Sequence, residues 1–224
     1  MAASHLRAAL RRLSPSIRAR GRVIRNFANK LGLVYFGTIH QHDDDIDAIR
    51  GFTASTTHAD THFCVGTYEG YNIRLVDRFD LVPLHQGKHL EQFWVILEVE
   101  LQSRQAPRTF FVPTGPEATA YQRLYATNPH LQPLNKMLFS THSPEFHGRF
   151  NILSRTAHVD TIEHIFTSPL IVGIAARFWP NGIEIHNGKL YVYITHRPTR
   201  AVLESTLQSS LWLAEMIDEQ AEAN

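Results

Sequence analysis

One cysteine in 224 residues, Cys64, leaves no partner for an internal disulfide and no multi-cysteine zinc site. Its place in an apolar, strand-like run makes it a buried, inert thiol and not a nucleophile. No stretch reaches the ~20 consecutive apolar residues that a membrane-spanning helix needs, and the start lacks the apolar core of a secretory signal. Also missing are a Gly-x-Ser-x-Gly elbow, a Gly-rich phosphate loop ending in Lys-Ser/Thr and a dinucleotide fingerprint. The commonest hydrolases, nucleotide-triphosphate enzymes and dehydrogenases therefore lose their main sequence support. No internal repeat and no Gly/Ser- or Pro-rich linker divides the chain.

The absence with most consequence is of acidic side chains at the start. Residues 1–30 hold eight basic groups (Arg7, Arg11, Arg12, Arg18, Arg20, Arg22, Arg25 and Lys30) and no Asp or Glu; the rest of the chain is left with 14 basic against 21 acidic residues. A net charge of +1 thus conceals a basic arm, residues 1–31, on an acidic body, residues 32–224. Within the arm Leu6, Leu10, Leu13 and Ile17, then Ile24, Phe27 and Leu31, trace an apolar stripe at helical spacing, and Ser14-Pro15 suits the start of a helix. Four roles fit such an arm. It docks on its own acidic body, it lies on an anionic membrane surface, it is an organellar transit peptide, or it contacts nucleic-acid phosphates, for which the scarcity of aromatics speaks less well. Arg7, Arg11, Arg18, Arg22 and Arg25 are the residues that would meet an anionic membrane or an acidic partner.

What is present is an ordinary folding composition, 43% hydrophobic and 19% charged, long enough for a sizeable core. The first half reads as strands: Phe63–Tyr68, the turn Glu69-Gly70, Tyr71–Asp77, then Phe93–Leu101 and Thr109–Val112, for which an antiparallel meander is the economical topology. After Pro116 the pattern becomes mixed: a helix over 118–126, a strand over 149–154, helices over 159–166 and 168–178, and a hairpin Ile183–His186/Lys189–Ile194 about Asn187-Gly188, whose residues favour a two-residue turn. An amphipathic helix from Thr199 closes the chain, with Glu215, Asp218, Glu219 and Glu222 crowding its C-terminal end against the helix dipole, so that this end should fray or receive the basic arm. The fold class is α+β: a mainly antiparallel sheet, packed helices and a C-terminal amphipathic helix, in a single domain whose only candidate division is 127–141. Trp94, Trp179 and Trp212 sit in apolar patterns and read as core.

The run Gly66-Thr67-Tyr68-Glu69-Gly70-Tyr71, with Glu145-Phe146, Arg149-Phe150, Thr167-Ser168-Pro169 and Gly188–Tyr193, resembles an uncharacterised bacterial domain with a GTY-x-G hairpin and an EF-x-x-RF motif, over roughly residues 60–218. Members often carry N-terminal membrane helices, where this chain has the basic arm. The resemblance implies a fold and brings no catalytic residues.

Histidine is abundant, 14 in 224. His40-Gln41-His42-Asp43-Asp44 is similar to the opening of a dinuclear site in metallo-β-lactamase-like hydrolases, although the alternating strands and helices of that fold do not follow. His58-Ala59-Asp60-Thr61-His62 puts three donors on one face of an extended chain. Together His40, His42, Asp44, His58, Asp60 and His62 form the one candidate set for a divalent transition metal; otherwise they are solvated loop residues. The expected function is a non-enzymatic cytoplasmic binding or scaffold module, peripheral to a membrane through the basic arm. The rivals are a metal-dependent hydrolase using the His/Asp cluster and nucleic-acid binding by the arm.

Overall fold

The computed structural model describes residues 15–38, 59–83, 89–116, 118, 121, 130–134 and 144–222. It is an α+β architecture built on one nine-stranded antiparallel sheet: β1 (Val34–Thr38), β2 (Ala59–Tyr68), β3 (Tyr71–Pro83), β4 (His89–Glu100), β5 (Thr109–Pro113), β6 (Gln132–Pro133), β7 (Phe150–Ser154), β8 (Gly182–His186) and β9 (Lys189–Ile194). Five α-helices accompany it among the described residues: α1 (Pro15–Leu31), α2 (Pro144–Arg149), α3 (Val159–Ile165), α4 (Ser168–Phe178) and α5 (Arg200–Glu222). The region 118–126 lies mostly outside the described residues.

Strand order is β1-β2-β3-β4-β9-β8-β5-β7-β6. The meander expected from sequence holds only as far as β4, because β5 does not lie beside it. The β9–β8 hairpin is inserted between them, with Leu97 opposite Val192 and Phe111 opposite Ile183. The reason lies in the β4–β5 connection. Leu101 N–H donates to Gly188 O, and the backbone N–H groups of Gln102 and Ser103 donate to the Asp218 carboxylate at 3.2 and 2.9 Å. These bonds carry the chain over the end of the inserted hairpin, and the same sheet joins residues on both sides of 127–141.

Alternation assigns each sheet face. Ile73, Leu75, Val95, Leu97, Val99, Leu190 and Val192 point to a helical layer and pack with Ile24 and Phe27 of α1, Ile162 of α3, Ile171 and Phe178 of α4, and Leu207 and Ile217 of α5. The opposite face carries a second apolar cluster that includes Trp94, Phe110, Tyr121 and Tyr193. Cys64 is buried as its pattern implied, and burial pushes its thiol pKa up to about 12.

The end of α5 is helical through Glu222. Asp218 is buried and accepts the two loop N–H groups and the Tyr71 hydroxyl at 3.2 Å, a use that outweighs its unfavourable place on the dipole. Trp94 is fully buried, but Trp179 is 48% exposed and not core. Phe178 takes the last inward position of α4, and the next residue faces out.

Candidate binding surfaces

Helix α1 begins at Pro15, as the Ser-Pro pair implied. Ile24, Phe27 and Ala28 are at most 1% exposed and Leu31 packs against them, so the apolar stripe over residues 24–31 is part of the protein's own core, with Ile24 and Phe27 contributing ~1.5–3 kcal/mol each. Arg20 turns inward: its guanidinium meets both carboxylate oxygens of Asp77 at 3.0 and 2.5 Å and sits 5.4 Å from the Phe93 ring centroid. Lys30 reaches Glu204 at the other end of the helix. Arg18, Arg22 and Arg25 remain exposed on the outer side, Arg25 lying over the Tyr35 ring. Arg7 and Arg11 lie outside the described residues.

Beneath α1, His62 occupies an unusual position. The β2–β3 register slips between Thr61 and Cys64, leaving an extra residue on β2, and His62 adopts φ +56°. Its ring lies against Gly21 of α1, and Nδ1 is 2.6 Å from the Tyr35 hydroxyl. Burial holds its pKa below the usual imidazole value; Asp77 opposes that shift, and Arg20 and Arg25 add to it.

The bulge separates two of the metal candidates. Asp60 faces the other side of the sheet, where Arg78, 1% exposed, donates to both its oxygens at 2.7 and 2.8 Å. An undistorted strand places residues 60 and 62 on one face; the extra residue places their side chains on opposite faces. His40, His42, Asp44 and His58 lie outside the described residues. Among the described residues no three His, Cys, Asp or Glu side chains converge as a metal site.

Further ion pairs cross this second face. Glu98 lies between Arg74 and Lys189, 3.1 Å from each, yet burial outweighs both cations and raises its pKa. Glu184 accepts from Arg108 at 2.9 Å and from the Tyr193 hydroxyl at 2.6 Å. These carboxylates have cationic or hydroxyl partners on neighbouring strands and lack the open approach of a catalytic acid or base.

A groove of about 540 Å³ opens beside the second half of α5, lined by Glu69, Tyr71, Gln102, Gln208, Leu211, Trp212, Glu215, Asp218 and Glu219. Tyr71 ties the β2–β3 turn to the helix through Asp218, and burial with the neighbouring carboxylates raises its pKa to about 12. Trp212 is anchored by close packing on Gly173 and by Arg177, 4.6 Å from its ring centroid. Aromatic, amide and carboxylate groups side by side suit a polar, hydroxyl-rich or cationic ligand and not an acyl chain. The helix pattern showed the carboxylates in the sequence; it did not show Tyr71 and Gln102, which reach the groove from other elements.

No family model matches the sequence, and no curated protein matches it. Among solved structures the chain is similar in fold to the mycobacterial trehalose monomycolate transport factor A, TtfA, with a TM-score of 0.62 at 10% identity, over 89% of this chain and 95% of that one. At that identity the likeness is one of architecture: the fold is similar to that of a bacterial protein named as a transport factor.

Proposed function

We propose that the protein is a non-enzymatic binding or scaffold module that works at the cytoplasmic surface of an anionic membrane, held there by the basic side of its N-terminal segment. The observation that supports this is the division of labour on α1. Its apolar stripe is fixed in the core, while Arg18, Arg22 and Arg25 stand on the outer side of a helix already ordered by that packing. Attraction is then electrostatic adsorption and not insertion of the α1 stripe, with each basic side chain worth ~1 kcal/mol near an anionic surface. Vesicle flotation with and without phosphatidylglycerol tests it. Arg18→Gln/Arg22→Gln/Arg25→Gln should weaken binding to anionic vesicles by roughly two orders of magnitude, with Arg7→Gln/Arg11→Gln adding to the loss. Equal binding by the charged and neutralised proteins would sink the membrane part of the reading.

The name of the structural neighbour motivates a second reading, an accessory factor that handles an acylated sugar. The groove beside α5 supports it, since Trp212, Tyr71, Gln102 and Gln208 are the residue types that hold sugar hydroxyls. Titration of trehalose against the protein, followed by amide chemical shifts, should perturb the lining residues saturably and fail in Trp212→Ala; no saturable shift removes this reading.

A further inference from the structure

Helix α4 breaks a rule that the other long helices obey. A helix on a protein surface presents polar residues outward, and one that is apolar all round is covered on every side. In α4, Ser-Pro-Leu-Ile-Val-Gly-Ile-Ala-Ala-Arg-Phe, only Ser168 and Arg177 are polar. Leu170, Ile171, Ile174, Ala175 and Phe178 fill the inner side. The outer side is apolar too: Pro169, Val172, Ala176 and Trp179 are all exposed, Val172 by 46% and Trp179 by 48%. Their spacing puts them in one stripe.

The charges on and directly beside this stripe are mainly basic. No Asp or Glu occurs between Glu163 and Glu184. Arg177 is exposed beside the stripe, and Arg149 stands 5.9 Å from the Trp179 ring centroid while donating to Ala175 O at the end of α4. Glu145 pairs with Arg149 and tempers that charge. The exposed polar residues of α3 are Asp160, Thr161, Glu163 and His164, and the segment containing α3 meets α4 at 91°. No single described helix is long and apolar enough to cross a membrane. An apolar stripe ending in tryptophan, flanked by arginines, is the composition of a helix lying in a lipid headgroup region.

We infer that the outer face of α4, through Val172, Ala176 and Trp179 with Arg149 and Arg177 beside them, is a contact surface for an anionic lipid bilayer. It deepens the membrane reading above with a second contact on another helix. Glu215 and Glu219, exposed on the neighbouring α5, repel such a surface and confine the contact to α4 and its C-terminal turn.

The test uses the full chain with vesicles of phosphatidylcholine and phosphatidylglycerol, some carrying brominated acyl chains that quench tryptophan at the interface. Wild-type emission should be quenched, and Trp179→Phe should still bind but lose most of the quenching. Val172→Asp, at an exposed position, should bind about tenfold more weakly, with Val172→Gln intermediate and circular dichroism unchanged in both. Full-strength binding by Val172→Asp, or quenching that persists in Trp179→Phe, overturns the inference. Vesicle binding lost only in the α1 arginine variants, with no quenching, keeps the arm reading and rejects the α4 surface. Self-association of the wild type that Val172→Asp abolishes, without lipid quenching, would assign the stripe to a protein contact and equally overturn it.

Discussion

Replacing Gly21 by alanine should destabilise the protein, although the substitution lies inside a helix where alanine is intrinsically the better residue by ~1 kcal/mol. A Cβ at position 21 would fall 2.6 Å from Nε2 of His62 and nearer still to Cε1. The imidazole cannot swing away freely, because Nδ1 is bonded to the Tyr35 hydroxyl and the ring is packed beneath α1. Seating the methyl both lifts α1, loosening Ile24 and Phe27, and pulls the ring off its hydrogen bond. Overpacking costs ~1–3 kcal/mol and the bond another ~1 kcal/mol, so the net loss after the helix-propensity gain is ~1–3 kcal/mol. Urea unfolding followed by far-ultraviolet circular dichroism measures it as a lowered midpoint with an unchanged slope. The decisive comparison is the cycle with His62→Ala: once the ring is removed, Gly21→Ala should become stabilising by ~0.5–1 kcal/mol. A Gly21→Ala protein as stable as wild type, or a substitution effect of the same sign in both backgrounds, would refute the argument that α1 is seated on this ring.

The depressed pKa of His62 has a definite sign: the unfolded state binds the proton more tightly, so the stability associated with neutral His62 is present above pH ~6.5 and is lost as pH falls below it. His186 is shifted the same way by burial and Arg108, so His62→Gln should flatten the pH dependence of the unfolding midpoint below pH ~6.5 without abolishing it; an unchanged profile would remove His62 from the account. Arg78→Met removes the guanidinium that pairs with buried Asp60 and also faces buried Asp80, and should cost ~3–5 kcal/mol, whereas Asp60→Leu/Arg78→Met should recover part of that loss; a double variant no more stable than the single one contradicts the assignment of the cost to the Asp60 charge. Any transition metal that elemental analysis finds in untagged protein should be unaffected by Asp60→Asn, since the side chains of Asp60 and His62 lie on opposite faces of the sheet, and a near-stoichiometric metal that disappears in both Asp60→Asn and His62→Ala would contradict that placement.

Local patterns in this chain were legible, and long-range neighbours were not. Asn187-Gly188 marked the β8–β9 hairpin because both residues need positive φ there, +52° and +70°. Ser14-Pro15 marked the start of α1, and the periodicity of α5 is realised nearly to its last residue. What failed did so for want of tertiary information. Short loops favoured a continuous meander, and nothing within Phe93–Val112 signals that a hairpin some 70 residues later enters between β4 and β5. The alternation that put Asp60 and His62 together assumed an unbroken strand, and a one-residue bulge is invisible in an alternating pattern. Trp179 looked like core because its neighbours are apolar, yet the inner side of α4 is already complete at Phe178. The groove likewise draws on the β2–β3 turn, the loop after β4 and α5, a convergence that local pattern cannot show.

The insertion of β8 and β9 also bears on how the protein is made. During vectorial synthesis the strands β1–β4 emerge first and can pair with one another, and β5, β6 and β7 can pair soon afterwards. Until residues 182–194 leave the ribosome, however, β4 and β5 each present an unpaired edge, and the two sheet fragments have no strand between them. Nascent chains in this interval carry the features that invite mispairing: open edges and long-range contacts still to be made. One Asn-Gly hairpin closes both edges at once, and α5, the last described element, then covers the join with Leu207, Leu213 and Ile217. A chain stopped before Gly182 is therefore not a smaller version of this protein but two half-sheets with an open edge each.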